Sequence, residues 1–171
     1  MPTGLMDRRS GWESDLGELV SPKSLDVQSW PAEIYEGHDP LLDHVSITVP
    51  DLVAAEAFYD ATLATLGIAK VGSDHSQGWI GYGLRCDAAH PDRTYLSIRL
   101  GRLPDDAPGR HWCFKASDRL AVDDFWRIGL LHGGRDNGAP GIRPAYHASY
   151  YAAFLIDPAG NRVEAVCHLG V

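Results

Sequence analysis

Two histidines and one glutamate have the spacing of a repeated ligand set. Shifting the sequence by 67 positions places His44 on His111 without a gap, and the same shift places Ser97 on Glu164. On alternating strands these three side chains point to the face opposite their apolar neighbours. Two imidazoles and one carboxylate bind a divalent metal and leave coordination positions open for substrate and water. The residue types therefore predict a metal site at His44, His111 and Glu164.

Simpler interpretations exist for each of these residues alone. A single histidine in a strand is usually a satisfied or half-exposed side chain, but a carboxylate inside a strand is costly to bury without a partner. The coincidence of all three in equivalent places of a repeat favours the metal site. Further candidates for substrate contact or proton transfer are Tyr95, Arg99, His147, Tyr150 and Tyr151.

The first copy of the repeat predicts a strand followed by a helix. His44, Ser46 and Thr48 alternate with apolar residues, which is the period of a strand covered on one face. Asp51 is suited to cap a helix, and Gly67 stands where that helix would end. In the second copy His111, Asp118 and the glycines at 133 and 134 take the same places.

Three strand candidates follow each predicted helix, at 68–71, 79–84 and 94–100, and at 142–146, 151–156 and 162–168. The order predicts an α+β fold in which two tandem βαβββ modules form a curved mixed sheet around a cavity. Module one would span residues 41–101 and module two residues 109–171. Residues 1–40, which have prolines and isolated aromatics but no period, are predicted to be a partly irregular N-terminal extension.

Composition excludes several classes of function. The chain has 171 residues, 44% of them hydrophobic, and a formal net charge of -8, so neither nucleic acid nor an anionic membrane is an expected partner. We find no signal peptide or membrane-spanning run and expect a cytoplasmic protein. Three cysteines without CxxC spacing indicate neither a disulfide framework nor a zinc-cysteine site.

Other catalytic motifs are missing from the sequence. It contains no GxSxG elbow, no phosphate-binding GxxxxGK[ST] loop and no dinucleotide-binding GxGxxG after a strand. Cys113 follows His111 by two positions, but no second base is evident, and a core cysteine is the favoured interpretation.

The chain resembles the vicinal oxygen chelate superfamily, which includes glyoxalase I, bleomycin-resistance proteins and type I extradiol dioxygenases. The resemblance covers about residues 41–169 and rests on LDHVSITVPDLVAAEAFY, the histidine-led second module and YYAAFLIDPAGNRVEAV. It implies two curved sheets around the site and His44, His111 and Glu164 as metal ligands. A small-molecule substrate and a homodimer are the expected partners.

Two departures from the family pattern affect the expected chemistry. Glyoxalase I-like enzymes usually have an acid where this chain has Ser97, and the remaining set of two histidines and one glutamate is that of extradiol dioxygenases. This slightly favours iron or manganese over zinc or nickel. Extradiol enzymes commonly carry a tyrosine ten residues before the glutamate, where Phe154 stands here.

The resemblance implies a divalent-metal enzyme acting on a substrate chelated through adjacent oxygens, either dioxygenase-like or a glyoxalase-like lyase or isomerase. The alternative is a metal-free protein that sequesters a drug or toxin. A third interpretation is a scaffold in which the N-terminal arm matters more than the cavity.

Overall fold

Two βαβββ modules make up the part of the chain described by the computed structural model, which covers residues 42–85, 87–90, 92–102 and 109–170. The predicted N-terminal extension, and its proposed role in assembly, lie outside these residues. The strands and helices are β1 (His44–Val49), α1 (Leu52–Thr65), β2 (Lys70–Asp74), β3 (Trp79–Gly83), β4 (Tyr95–Leu100), β5 (Trp112–Lys115), α2 (Arg119–Leu131), β6 (Arg135–Ile142), β7 (Tyr151–Ile156) and β8 (Arg162–Cys167).

Both helices begin and end as the sequence predicts. The Asp51 carboxylate accepts hydrogen bonds from the first-turn amides of α1, at 2.9 Å from Val53 and 3.1 Å from Ala54. Asp118 accepts from the Ala121 amide at 2.8 Å in α2. Gly67 follows α1 with a φ of +72°, a left-handed conformation that favours glycine.

Each module contributes one four-stranded sheet, in the orders β1-β4-β3-β2 and β5-β8-β7-β6. The pairs β1/β4 and β5/β8 are parallel, and the other pairs are antiparallel. Ser46 pairs with Ser97 in the first sheet, and Cys113 pairs with Glu164 in the second. The 67-residue offset therefore holds in the strand register, and the predicted α+β fold of two tandem βαβββ modules is confirmed.

The helix-covered faces of the two sheets share one hydrophobic core. It combines Phe58 of α1 and Ile98 of β4 with Phe125 of α2 and Leu155 of β7. A side-chain amide crosses between the modules, because Asn161 Nδ2 donates to the carbonyl oxygen of Thr48 at 3.3 Å. Ser97 and Glu164, which alternate with core residues of β4 and β8, point to the opposite faces.

Strand β6 departs from the prediction of a strand at 142–146. It runs from Arg135 to Ile142 through glycines and a proline, and residues 144–146 form a turn. In the described sheet β6 pairs only with β7, and its register shifts between Asp136 and Gly138 and between Gly138 and Gly141. An edge strand with bulges tolerates Pro140, which would disrupt a central strand. Among the described residues, no helix is long and apolar enough to cross a membrane.

Candidate active site

A buried carboxylate in the middle of β8 is the centre of the candidate site. Glu164 is 2% exposed, and the Tyr150 hydroxyl donates to its Oε1 at 2.8 Å. His111 lies just before β5, with its Nε2 3.1 Å from Glu164 Oε2. The structure therefore brings together two of the three predicted ligands and one of the candidate tyrosines.

Both ring nitrogens of His111 face a hydrogen-bond acceptor. Its Nδ1 lies 3.3 Å from the carbonyl oxygen of Gly109, and its Nε2 lies 3.1 Å from Glu164 Oε2. A neutral ring has one N–H and can donate to only one of these two acceptors. A cation between Nε2 and Oε2, either a second proton or a metal ion, would let Nδ1–H donate to Gly109 and satisfy both.

Cys113 lies beside Glu164 on the same face, rather than in the core as the sequence suggested. The residue is exposed overall, but local burial and the negative charge of Glu164 raise the pKa of its thiol to about 12. The thiol therefore stays protonated at neutral pH and is a weak nucleophile and a weak metal ligand. Strand alternation explains the placement, since residues two apart in a strand share a face.

A ring cluster surrounds the hydroxyl that holds Glu164. The Tyr150 ring lies 5.4 Å from the ring of His147 and 5.2 Å from that of His168. His147 Nε2 is 2.9 Å from His168 Nδ1. Burial and the hydrogen bond to Glu164 raise the pKa of Tyr150, so its hydroxyl is a donor at neutral pH. His168 was not a sequence candidate, because it has no repeat partner.

The first sheet presents a separate cavity of about 270 Å³ on its corresponding face. His44 lies in its wall, with Nδ1 2.6 Å from Asp43 Oδ1 and a side chain that is 59% exposed. The wall contains the candidates Tyr95 and Arg99, and its other members are Asp43, Ser46, Arg85 and Ser97. Sequence reasoning missed Arg85, which lies outside the predicted strands.

Tyr151 is not part of either group. Its hydroxyl donates to Asp123 Oδ1 of α2 at 2.7 Å, and the Arg119 guanidinium carbon lies 5.1 Å from the centre of its ring. The side chain thus contacts the helix that covers the sheet, so its predicted contact with substrate gains no support from this placement.

Comparison with known proteins identifies the family. No protein-family model matches the chain. The uncharacterized protein PA2024 of Pseudomonas aeruginosa is 33% identical over 129 residues, which are 73% of this chain and 86% of that protein. The crystal structure of a glyoxalase/bleomycin resistance protein from Albidiferax ferrireducens T118 matches with a TM-score of 0.60 and 29% identity, over 74% of this chain and 98% of that one.

The chain belongs to the vicinal oxygen chelate superfamily. More distant members of known structure share the fold. Glyoxalase I from Zea mays matches this vicinal oxygen chelate protein with a TM-score of 0.51 and 18% identity, over 74% of this chain and 45% of the maize chain.

One chain of this vicinal oxygen chelate protein presents two of the expected metal ligands together. Across the described ranges, no group of three or more His, Cys, Asp or Glu residues is arranged to hold a metal ion. His111 and Glu164 do fit, because two ligands that each lie about 2.0–2.2 Å from one ion are roughly 3 Å apart. His44 belongs to the other sheet and does not join them within the chain.

The surroundings of Glu164 differ from the family pattern at one position. Phe154, at the position where extradiol enzymes commonly carry tyrosine, pairs with Glu164 across β7 and β8. The hydroxyl next to the carboxylate comes instead from Tyr150, which precedes β7. In this vicinal oxygen chelate protein a phenol therefore reaches the site from a different position in the chain.

Proposed function

We propose that the protein is a divalent-metal-dependent enzyme acting on a small substrate that binds through two adjacent oxygens, in a dioxygenase-like reaction or a glyoxalase-type lyase or isomerase reaction. The observation that supports this most directly is the position of His111 Nε2, 3.1 Å from a buried Glu164 carboxylate oxygen. The fold does not require an acid there, because Ser97 takes the equivalent place in the first sheet.

The residues around this pair are suited to hold a ligand set in place. A bound divalent ion would polarise two neighbouring oxygens of a substrate as a Lewis acid. Tyr150 fixes the orientation of the Glu164 carboxylate, and the Gly109 carbonyl would accept from Nδ1 of a His111 that binds the ion through Nε2. His111 is 47% exposed in its side chain, so a substrate can reach the pair from solvent. Iron and manganese are slightly favoured over zinc and nickel, as the ligand types suggest.

The third ligand, in this proposal, comes from a second copy of the chain. His44 is exposed on the open face of the first sheet, and the His111–Glu164 pair is on the open face of the second. A two-fold dimer forms each contact twice, so a dimer that sets these faces against each other would build two equivalent sites. Each site would combine His111 and Glu164 with His44 of the partner subunit.

Mixing two defective variants tests this arrangement. His44→Gln and Glu164→Gln each break both sites of their own homodimer, so each should bind less than a tenth of the wild-type manganese or iron. A heterodimer of the two contains one site with all three ligands and one without His44 and Glu164. Refolding the variants together should therefore restore about a quarter of the wild-type metal, since half of the dimers are mixed by random pairing.

Metal bound at equilibrium, measured after dialysis and gel filtration, is the readout. His90→Gln, a change in an exposed histidine that contacts Asp87, is the matched control and should bind metal like the wild type. No restoration in the mixture, from two variants that each fold and dimerise, would disprove a site shared between copies. Metal binding unchanged in Glu164→Gln would disprove the metal centre itself.

A metal-free binding protein is the second candidate function. It is favoured by the cavity of the first sheet, whose lining residues all belong to one module and, within the described ranges, include no group of three metal-ligating side chains. A wild-type protein without any bound metal that still binds a small ligand tightly would support this function over the enzyme.

A further inference from the structure

Two residues that line the cavity of the first sheet, Tyr95 and Ser97, have buried hydroxyls without partners in the described ranges. Tyr95 is 7% exposed and Ser97 is 2% exposed. Neither the Tyr95 hydroxyl nor Ser97 Oγ has a hydrogen-bond partner among the residues that the structure describes. Buried donors without partners are costly, and two in one cavity point to a ligand that accepts hydrogen bonds.

The Tyr95 side chain occupies the space left by a glycine in the neighbouring strand. A Cβ atom on Gly81 of β3 would collide with the Tyr95 hydroxyl oxygen and lie 2.7 Å from the ring carbon that carries it. The absence of a side chain at Gly81 therefore lets the phenol of Tyr95, a residue that lines the cavity, lie across β3.

Two arginines also line this cavity. Arg85 lies with its guanidinium carbon 4.4 Å from the centre of the Tyr95 ring, and Arg99 lies in the same wall. Neither arginine forms an ion pair with a carboxylate in the described part of the chain. In a protein with a formal net charge of -8, two arginines beside two donor hydroxyls make a local site for an anion.

We propose that this cavity binds the carboxylate of a small organic acid, with Arg85 and Arg99 pairing its charge and the Tyr95 and Ser97 hydroxyls donating to its oxygens. A planar guanidinium matches a carboxylate in shape. The Asp43 carboxylate lies at the same wall, beside His44, and disfavours a doubly charged phosphate group. In the proposed dimer the cavity would hold the acid end of the substrate, and only this extension depends on the proposed function.

Ligand binding to the full-length protein in the presence of a chelator tests the proposal. Benzoate is the probe, and benzamide and phenyl phosphate are its neutral and doubly charged counterparts. We expect benzoate to bind at least about tenfold more tightly than either, because a charged hydrogen bond is strong and the cavity has both charge and donors. Isothermal titration or ligand-detected NMR gives the affinities.

Variants locate the binding site. Arg85→Gln and Arg99→Gln, both at exposed positions, should each weaken benzoate binding about tenfold or more, and Ser97→Ala should weaken it less. Arg135→Gln, at an exposed arginine of β6, is the matched control and should leave binding unchanged. Equal affinity for benzoate and benzamide, no binding of benzoate at all, or full affinity in the Arg85→Gln/Arg99→Gln double variant would overturn the proposal.

The same measurement separates this proposal from the metal centre. Glu164→Gln removes a predicted metal ligand in the other sheet and should retain benzoate binding. If Glu164→Gln loses bound metal but keeps its affinity for benzoate, the result agrees with both proposals. If Arg99→Gln loses benzoate binding but keeps bound metal, the result supports the carboxylate site alone.

Discussion

Burial of the Glu164 carboxylate lowers the stability of the fold, and this cost indicates a functional role for the residue. Its carboxylate is buried in the middle of a sheet, with one oxygen held by Tyr150 and the other facing His111. The same strand position in the first module is Ser97. Since a buried carboxylate is unfavourable for stability, its presence in one module only indicates a task that the other module does not have.

Removing the Tyr150 hydroxyl should weaken the metal site without unfolding the protein. In Tyr150→Phe the Glu164 carboxylate loses the donor at 2.8 Å that fixes its orientation. Groups that orient metal ligands typically contribute about 10- to 100-fold to metal affinity. We expect manganese or iron affinity to fall by about tenfold, measured by equilibrium dialysis.

Tyr146→Phe is the matched control, because the Tyr146 ring is exposed and its centre lies 4.6 Å from that of the Tyr150 ring. It should keep wild-type metal affinity. If Tyr150→Phe and Tyr146→Phe behave alike, the hydroxyl of Tyr150 does not orient the ligand.

Helix α1 is joined to the edge strand β2 by a small charged network. Lys70 Nζ donates to Glu56 Oε1 at 2.9 Å and to Asp60 Oδ2 at 2.7 Å. His75 Nε2 lies 2.7 Å from Glu56 Oε2. The hydrogen bond from Lys70 is the largest cause of a lowered pKa at Glu56. The network therefore stabilises the fold while Glu56 is ionised.

Replacing Glu56 by glutamine should reduce stability only above acidic pH. A folded pKa below the ordinary value of 4.5 means that the stabilisation is present above that value and is lost as the pH falls through the folded pKa. Because the pair is partly exposed and screened by solvent, we expect Glu56→Gln to cost about 0.5 kcal/mol at pH 7. The difference in unfolding free energy should shrink toward zero as the pH falls below the folded pKa.

Urea unfolding of both proteins between pH 3 and pH 7 measures this difference. Asp92→Asn, in an exposed loop, serves as the control for the loss of one surface charge. A cost for Glu56→Gln that is constant across the pH range would show that ionisation of Glu56 does not contribute.

The association of the two modules depends on a close approach between helix and sheet. A Cβ atom on Gly129 of α2 would collide with Leu155 Cδ1 and lie 3.2 Å from Thr62 Cγ2 of α1. Both Leu155 and Thr62 are fully buried. This glycine therefore allows α2 to pack against α1 and β7 together, in the core that the modules share.

Gly129→Ala should destabilise the whole domain. Alanine favours a helix over glycine by about 1 kcal/mol, but an extra carbon in a filled core typically costs about 1–3 kcal/mol. We expect a net loss of about 1 kcal/mol in the free energy of unfolding, measured with urea. Gly141→Ala is the control, because its Cβ would meet only Arg143 Nη1 at 3.7 Å. A stabilised Gly129→Ala variant would contradict the close packing.

Local signals predicted the repeated modules accurately. Asp51 and Asp118 cap their helices as expected, and the 67-residue offset maps β4 onto the whole of β8. Capping and alternation act within a few residues, so the sequence carries them directly. The position of strand β6 was not predicted, because its glycines and Pro140 are local signals of a loop. Only its pairing with the distant strand β7 makes this segment a strand.

The chain's residue types and spacing determined the two modules, their caps and the ligand candidates His44, His111 and Glu164. The distance between His44 and the other two depended on which faces the modules bury against each other, and here the helix-covered faces form the shared core. Hydrophobic burial is not directional, so an apolar face does not specify its partner. The tertiary packing therefore placed His111 with Glu164, and His44 with Arg85 and Tyr95 in a separate cavity.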